Sequence, residues 1–158
     1  MFSEVMDFFS LEQELDHLGF FTTEAQTHLQ EEITKVIPRG KLIALSGIVG
    51  SGKTTFLQSL ITDLSKAKEI IVSCSLAVES DRVSLSTLIT ALFYDLSTEK
   101  DFKVPTQPEK RERKLLELIK KCQRTVVLFV DDAHGLHHRT LVGLKRLIDL
   151  VRHNGGKL

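Results

Sequence analysis

Residues 47–54 form a glycine-rich stretch whose spacing suits the binding of phosphate groups. They read Gly-Ile-Val-Gly-Ser-Gly-Lys-Thr and match the pattern G-x-x-x-x-G-K-[ST], after an aliphatic run and before a helical pattern. Glycines allow turns that a Cβ would strain, so that successive backbone N–H groups point into one concavity at a helix N-terminus, which favours anions. In this pattern the lysine reaches the β- and γ-phosphates of a nucleotide, and the next hydroxyl ligates Mg²⁺. The stretch therefore predicts a nucleoside triphosphate site.

Residue types in this phosphate loop predict which positions bind the nucleotide and which of them also act in catalysis or metal binding. Lys53 is assigned to both binding and catalysis, and Thr54 to both the nucleotide and the metal. The predicted nucleotide-binding residues of the loop are Gly47, Gly50, Ser51, Gly52, Lys53, Thr54 and Thr55. The alternative is a glycine-rich turn with a solvated lysine, but four fixed positions with the correct flanks are hard to meet by chance.

An acidic pair follows the most hydrophobic strand pattern of the chain. Residues 126–130, Val-Val-Leu-Phe-Val, run directly into Asp131 and Asp132. A nucleotide site needs one carboxylate for the Mg²⁺ shell and one to polarise the attacking water, and we assign Asp131 to the metal and Asp132, as a catalytic residue, to the water. Alternatively, the two acids are a helix N-cap and a first-turn acid. The phosphate loop upstream favours the functional interpretation.

Three histidines, His134, His137 and His138, come soon after the acidic pair. Three histidines at this spacing could be ligands of a zinc site. Because no cysteine stands at ligand spacing nearby, we expect a polar loop rather than a metal centre. The two cysteines, Cys74 and Cys122, lie far apart in sequence and are expected to be reduced, buried thiols.

Helical patterns alternate with short hydrophobic strands along the chain. Periodicity and capping residues predict helices over residues 24–37, 53–66, 84–96, 110–121 and 140–152, with one more short helix after Ser10. Strands are predicted over residues 41–46, 69–75 and 125–130, and residues 97–108 are predicted to be a loop. Strands that alternate with helices indicate βαβ units and a parallel sheet.

The composition is that of an ordinary globular protein. The 158 residues include 21 Lys plus Arg and 21 Asp plus Glu, and 42% are hydrophobic. This balance argues against disorder and against a protein that attracts polyanions over its whole surface. The first residues lack the basic start of a signal peptide, and no uncharged run approaches the roughly 18 apolar residues that span a membrane. We therefore expect a cytoplasmic protein without a membrane span.

Taken together, the phosphate loop and residues 128–136, Leu-Phe-Val-Asp-Asp-Ala-His-Gly-Leu, resemble the Walker A and Walker B motifs of AAA+ ATPases. The likeness points to the branch that holds ExeA-type secretion ATPases and the helper ATPases of transposition systems. It runs from about Gly19 to the last residue, with Walker A at residues 47–54 and Walker B at residues 126–132. The resemblance implies an α/β fold, a P-loop NTPase three-layer sandwich whose parallel sheet is incomplete, with about three core strands. Residues 1–22 would be a helical lead-in, and residues 23–158 the N-terminal part of an AAA+ ATPase domain.

The resemblance also implies cofactors and partners. ATP and Mg²⁺ are expected to bind, and the intact protein is expected to hydrolyse ATP as a homo-oligomer in a machine that contains DNA, a transposase or secretion components. Phe20 and Phe21 are expected to line the adenine pocket, or alternatively to pack in a small core over the sheet. The family usually has Glu at the position of Asp132, and the shorter side chain predicts slower hydrolysis. Basic residues on two helices are the candidates for DNA contact, namely Arg111, Arg113, Lys114, Arg139, Lys145, Arg146 and Arg152, although such charges usually form a solvated face.

In the AAA+ arrangement, a later strand that carries the polar sensor residue lies between the Walker A and Walker B strands. This chain ends where that strand would begin, so the resemblance implies a truncated product of a longer ATPase, without the sensor, arginine finger and helical lid. Two alternatives stay open: an ATP-binding regulatory module with little or no hydrolysis, and a helicase fragment, because residues 131–134, Asp-Asp-Ala-His, resemble a DEAH box. ATP is favoured over GTP because the chain lacks the N-K-x-D motif that recognises guanine.

Overall fold

The structure is a computed structural model and describes residues 22–75, 83–97 and 103–158. Within these ranges there are five α-helices: α1 (Glu24–Val36), α2 (Lys53–Ser65), α3 (Leu85–Leu96), α4 (Pro108–Cys122) and α5 (His138–His153). Two strands, β1 (Ile70–Cys74) and β2 (Thr125–Phe129), and two short 3₁₀ turns, Ile37–Arg39 and Ala133–Gly135, complete this part of the chain. None of the described helices is long and apolar enough to cross a membrane.

Capping residues determine where α1 and α3 begin. The Thr23 hydroxyl accepts a hydrogen bond from the N–H of Gln26 at 3.3 Å, and the Gln26 side chain accepts one from the N–H of Thr23 at 2.9 Å. This reciprocal pair is the predicted capping box. The Ser84 hydroxyl accepts a hydrogen bond from the N–H of Thr87 and caps α3. The other predicted early helix, after Ser10, lies outside the described residues.

The helices α4 and α5 begin two residues before their predicted starts. The first residue of α4 is Pro108, whose fixed φ and missing N–H suit the first turn of a helix. The ring of His137 accepts a hydrogen bond from the N–H of Arg139 at 3.2 Å and so acts as the N-cap of α5. The remaining predicted helices, and the strands β1 and β2, agree with the structure to within one residue at each end.

The strands β1 and β2 pair in parallel, as the alternation of strands and helices predicts. Ile70 lies opposite Thr125, and Cys74 lies opposite Phe129. Because side chains alternate along a strand, the two faces of the sheet bury different residues. The face toward α1 and α2 carries Ile70, Val72, Val127 and Phe129, and the face toward α3, α4 and α5 carries Ile71, Val126 and Leu128. The fold is therefore a three-layer α/β sandwich around a parallel sheet.

Each face of the sheet has its own hydrophobic core. The buried side chains under α1 and α2 are Ile33, Ile37, Phe56, Leu60 and Leu64. The larger core on the opposite face contains Ile89, Leu92, Phe93, Leu96, Leu115, Ile119, Val126, Leu147 and Val151. At the surface, Gln30 Nε2 donates to Asp63 Oδ2 at 2.9 Å and connects α1 to α2. Both faces of the sheet are covered by helices, as parallel sheets require.

Residues 41–46 do not form the third strand that the sequence predicts. They belong to no strand, and Leu42 and Ile43 are 53% and 43% exposed. A strand needs a neighbour that satisfies its backbone N–H and C=O groups, and the described residues provide no ladder for this segment. The strand prediction at 41–46 is therefore wrong, and the described sheet has two strands rather than about three.

The last two residues lie between β2 and the segment that follows Gly40. The N–H of Val126 donates to the backbone oxygen of Lys157 at 2.9 Å, and Lys157 pairs in parallel with Thr125. The backbone oxygen of Leu158 is 3.0 Å from the point where a Cβ on Gly40 would stand. Residues 157 and 158 thus lie against β2 and against Gly40.

The parallel pairing gives the sheet a carboxyl edge, where both strands end, and an amino edge, where both begin. The N–H of Ile70 donates to the backbone oxygen of Ala67, so the end of α2 adjoins the start of β1. The helix α2 packs on β1 and, with 13 residues, spans about 20 Å, which carries its N-terminus to the carboxyl edge. Phe56, in the first turn of α2, accordingly shares a core with Phe129 at the end of β2. The phosphate loop and the residues after β2 meet at this edge.

Ser73 on β1 is buried without a hydrogen-bond partner for its hydroxyl, alone among the described side chains. An unpaired buried hydroxyl costs free energy that alanine would not. We expect Ser73→Ala to raise the free energy of unfolding by about 1 kcal/mol in urea titrations. The control is Ser65→Ala, an exposed serine whose hydroxyl donates to the Ile61 backbone oxygen, with a change within about 0.5 kcal/mol. Lower stability in Ser73→Ala would contradict this prediction.

Candidate functional site

The phosphate loop turns through two glycines with a left-handed backbone. The angle φ is 80° at Gly50 and 78° at Gly52, values that residues with a Cβ rarely adopt. At Gly47 the constraint is contact instead, because a Cβ there would stand 2.9 Å from Ser51 Oγ. The N–H of Ser51 donates to the backbone oxygen of Ile48 at 3.2 Å and closes the turn. The backbone shape that the sequence predicts for these glycines is present.

The N-terminus of α2 has no side-chain cap. Its N-cap is Gly52, which has no side chain, and the N–H of Phe56 makes the first intrahelical bond to the Gly52 oxygen at 2.8 Å. Of the other described helices, α1, α3 and α5 are capped by the side chains of Thr23, Ser84 and His137, and α4 has no side-chain cap but begins with Pro108, which has no N–H. The N–H groups in the first turn of α2, together with the helix dipole, therefore remain available to an anion.

Lys53 is folded back over the loop that precedes it. Its Nζ donates to the backbone oxygen of Gly47 at 3.1 Å and to that of Ile48 at 2.9 Å. Both partners are neutral, and an anionic phosphate would be a stronger, charge-assisted partner for the ammonium group. The contacts keep Lys53 beside the loop without neutralising its charge. The remaining predicted loop residues, Ser51, Thr54 and Thr55, are exposed.

Asp131 and Asp132 follow β2 at the same carboxyl edge, and both are exposed. Asp131 Oδ1 accepts a hydrogen bond from the N–H of Asp132 at 2.9 Å. Asp132 has a left-handed backbone, with φ 49°, which a short polar side chain tolerates. Its Oδ1 lies 3.8 Å from His134 Nδ1, and such an exposed pair contributes little to stability. Two exposed carboxylates thus lie at the same edge of the sheet as the phosphate loop.

A family model described as AAA domain matches residues 38–158, which is more than half of the chain. The chain belongs to the AAA domain family. This membership supports a nucleotide-binding, ATPase-type function, and the matched residues include both the phosphate loop and the acidic pair. No match was found among curated proteins or among solved structures.

The AAA domain match begins after α1, later than the resemblance that starts near Gly19. Phe20 and Phe21 precede the match and also lie outside the described residues. Their role in an adenine pocket stays a prediction. Residues 132–135, Asp-Ala-His-Gly, fit the D-x-x-G pattern of GTPases, so this pattern does not separate ATP from GTP. The preference for ATP rests on the AAA domain family and on the missing N-K-x-D motif.

The donors at the carboxyl edge suit Mg²⁺. Thr54 offers a hydroxyl and Asp131 a carboxylate, and Mg²⁺ in nucleotide sites is held by one or two such oxygen ligands together with phosphate oxygens. No three His, Cys, Asp or Glu side chains of the described residues are grouped to hold a metal by themselves. His137 caps α5 and lies against His138, with ring centroids 4.3 Å apart.

The two cysteines take no part in this site. Both are free and partly exposed, so the expectation of buried thiols is wrong in that respect. Partial burial, and to a smaller extent the charge of Asp95, raises the pKa of the Cys74 thiol, which lowers its reactivity near neutral pH. Sequence reasoning missed the left-handed backbone of Asp132, for which an Asp before Ala-His-Gly is only a weak signal.

The effect of loop shape on nucleotide binding can be separated from general strain. Gly52 and Gly155 have nearly the same φ, 78° and 80°, and at both positions the space that a Cβ would occupy has no atom within 4 Å. We expect Gly52→Ala and Gly155→Ala each to lower the free energy of unfolding by about 1 kcal/mol. Only Gly52→Ala should weaken the binding of a fluorescent ATP analogue, by about tenfold, because the loop N–H groups would shift. Equal affinities in the two variants would contradict the assignment of the loop.

Proposed function

We propose that this chain binds MgATP at the carboxyl edge of its sheet and belongs to a protein that hydrolyses it. The observation that carries the proposal is the meeting of the uncapped N-terminus of α2, with its phosphate loop, and the acidic pair after β2 at one edge. An anion-binding helix end and adjacent carboxylates are what a metal-bound triphosphate requires. The AAA domain family supports the same class of function.

The phosphate loop does the binding in this proposal. The N–H groups of Gly50 and of residues 52–55 surround the phosphates, and Lys53 Nζ exchanges its two backbone oxygens for the β- and γ-phosphates. Thr54 and Asp131 would hold Mg²⁺, which when bound offsets the negative charge of the phosphates. Because the loop glycines already have their left-handed backbone, little reorganisation is needed before binding.

Asp132 is the proposed base for hydrolysis. Its free carboxylate would orient a water molecule in line with the γ-phosphate and accept its proton. The side chain is one methylene group shorter than the Glu usual in the resembling family, and a misplacement of about 1 Å costs about 100-fold in rate. We therefore propose slow hydrolysis.

The second candidate function is an ATP-binding regulatory module with little or no hydrolysis. Asp132 is its specific support, because this carboxylate is 74% exposed and no neighbour closer than His134, at 3.8 Å, holds it in position among the described residues. In such a module, ATP would order the protein for a partner rather than supply energy. The other alternative, a DEAH-like helicase fragment, is supported only by residues 131–134.

The finer identity of the protein also belongs to this proposal. We propose the ExeA-type or transposition-helper branch, a cytoplasmic location and assembly into a homo-oligomer, with DNA, a transposase or secretion components as partners.

Several basic residues suggested for DNA contact are engaged elsewhere. The Arg111 guanidinium donates to the backbone oxygens of Pro105 and Thr106 and to the Ser86 hydroxyl, which fastens the start of α4 to the loop before it. In separate ion pairs, Lys114 contacts Glu117 at 3.3 Å and Arg152 contacts Asp149 at 2.8 Å. Arg111, Lys114 and Arg152 are therefore weaker candidates for DNA contact than their charges alone suggest.

Nucleotide binding is tested by titrating the 158-residue chain with a fluorescent ATP analogue in the presence of Mg²⁺. Lys53→Ala should lose at least about tenfold in affinity, because charge-assisted bonds to phosphate contribute about 1.5–3 kcal/mol. The matched control is Lys66→Ala, a lysine at the opposite end of α2 that pairs with Asp63 and should leave affinity unchanged. Equal affinity in Lys53→Ala and wild type would rule out the proposed site.

Phosphate release separates hydrolysis from binding alone. If the Asp132 carboxylate is the base, Asp132→Glu should raise the rate by about tenfold or more, and Asp132→Asn should abolish it, with ATP affinity retained in both. His134→Gln is the control for the neighbouring ring and should leave the rate within about twofold. Binding without release in wild type and in Asp132→Glu would favour the regulatory module.

A further inference from the structure

The basic residues of this chain are concentrated at the amino edge of the sheet, opposite the phosphate loop. We define the basal surface as residues 39–41, 66–69, 120–124 and 152–157. It contains nine of the 21 Lys and Arg residues, which are Arg39, Lys41, Lys66, Lys68, Lys120, Lys121, Arg124, Arg152 and Lys157. Its one acidic side chain is Glu69, although the whole chain has equal numbers of acidic and basic residues. The basal surface is therefore much more basic than the chain as a whole.

Backbone contacts join the segments of the basal surface. The N–H of Thr125 donates to the Glu69 oxygen at 3.0 Å, and Lys157 pairs in parallel with Thr125. The Leu158 oxygen stands 3.0 Å from the point that a Cβ on Gly40 would occupy. With strands about 4.8 Å apart, the four neighbouring segments extend roughly 15 Å along the sheet edge. That width accommodates several phosphate groups of a nucleic acid strand.

Most cations of the basal surface have no counter-charge. Lys66 pairs with Asp63, and Arg152 pairs with Asp149, each at 2.8 Å. The other seven form no ion pair within the described residues, and all nine side chains belong to exposed residues. Exposed like charges repel one another, and an anionic partner removes that repulsion. The unpaired positive charges of the basal surface therefore favour the binding of a polyanion.

We propose that the basal surface binds the phosphate backbone of a nucleic acid. It contains no Phe, Tyr, Trp, Leu, Ile, Val or Met, whereas protein interfaces depend on apolar and aromatic anchors and are depleted in lysine. Stable attachment to a membrane surface likewise needs an apolar face or a lipid anchor in addition to charge. Five of the seven unpaired cations are lysines, which bind phosphates as point charges without reading sequence.

This inference deepens the DNA-linked part of the proposed function but does not depend on ATP. The basal surface lies at the opposite edge from the phosphate loop, so nucleic acid and nucleotide would bind at separate places on one sheet. Its failure would therefore leave ATP binding untouched, and the two proposals can be tested independently.

The test is fluorescence anisotropy of a short labelled DNA duplex, titrated with the full chain without nucleotide over a range of KCl concentrations. We expect dissociation constants near or below about 10⁻⁶–10⁻⁴ M at low salt, with a steep salt dependence. Lys120→Gln/Lys121→Gln should reduce the slope of log K against log salt by about 2 and weaken binding at least about tenfold. The matched control, Lys103→Gln/Lys110→Gln, removes the same charge from the segment before α4 and from its first turn, and should change neither value. If the first variant fails to fold by circular dichroism, Arg39→Gln/Lys41→Gln carries the same expectation.

Three results would overturn the proposal. Wild type could fail to bind the duplex at low salt, or the basal and control variants could lose the same affinity. The third is binding of poly-glutamate or phosphatidylserine vesicles as tightly as DNA at matched charge and with the same dependence on Lys120 and Lys121. Each variant should bind the fluorescent ATP analogue with wild-type affinity. This control distinguishes a failure of the basal-surface proposal from a failure of the proposed ATP site.

Discussion

The parallel pairing of β1 with β2 is the constraint on which the other features of this protein depend. Parallel strands force every connection to cross from one edge of the sheet to the other, so the helices cover both faces and the loops collect at two opposite edges. The residues after β2 and the loop before α2 must then meet at the carboxyl edge. The residues before each strand collect at the amino edge for the same reason. The pairing of β1 with β2 therefore gives the sheet two different edges. The carboxyl edge has the anion-binding loop and two carboxylates, and the amino edge is dominated by cations.

The chemistry at the carboxyl edge comes mainly from the backbone. Gly52 leaves the start of α2 without a side-chain cap, whereas Thr23, Ser84 and His137 each accept a hydrogen bond from one N–H at the start of α1, α3 and α5. The helix α4 also lacks a side-chain cap, but no glycine-rich loop precedes it. A helix end that is not capped internally is free for a ligand. Lys53 adds a positive charge that contacts only neutral backbone oxygens. The site therefore combines backbone donors with one cation.

The elements with strong local signals could be predicted from the sequence, and those that depend on a distant partner could not. Thr23 and Gln26 specify the start of α1 within four residues of chain, and the prediction there is confirmed. Residues 41–46 have the composition of a strand, but a strand exists only with a neighbour, and composition does not reveal whether one is paired. Likewise, the left-handed backbone of Asp132 and the unpaired hydroxyl of Ser73 depend on packing. The basal surface could not be predicted from the sequence because its cations are scattered along the chain. Each group of these cations precedes a strand or ends a helix, and a parallel sheet brings such positions together.

The central claim is that the loop before α2 and the acid after β2 hold one metal-bound triphosphate between them. A crystal structure of the chain with Mg²⁺ and a non-hydrolysable ATP analogue tests this most directly. We expect phosphate oxygens on the N–H groups of Gly50 and of residues 52–55, Lys53 Nζ on phosphate rather than on the backbone, and Mg²⁺ between Thr54 and Asp131. A nucleotide bound elsewhere, with Lys53 still on the oxygens of Gly47 and Ile48, would contradict this claim.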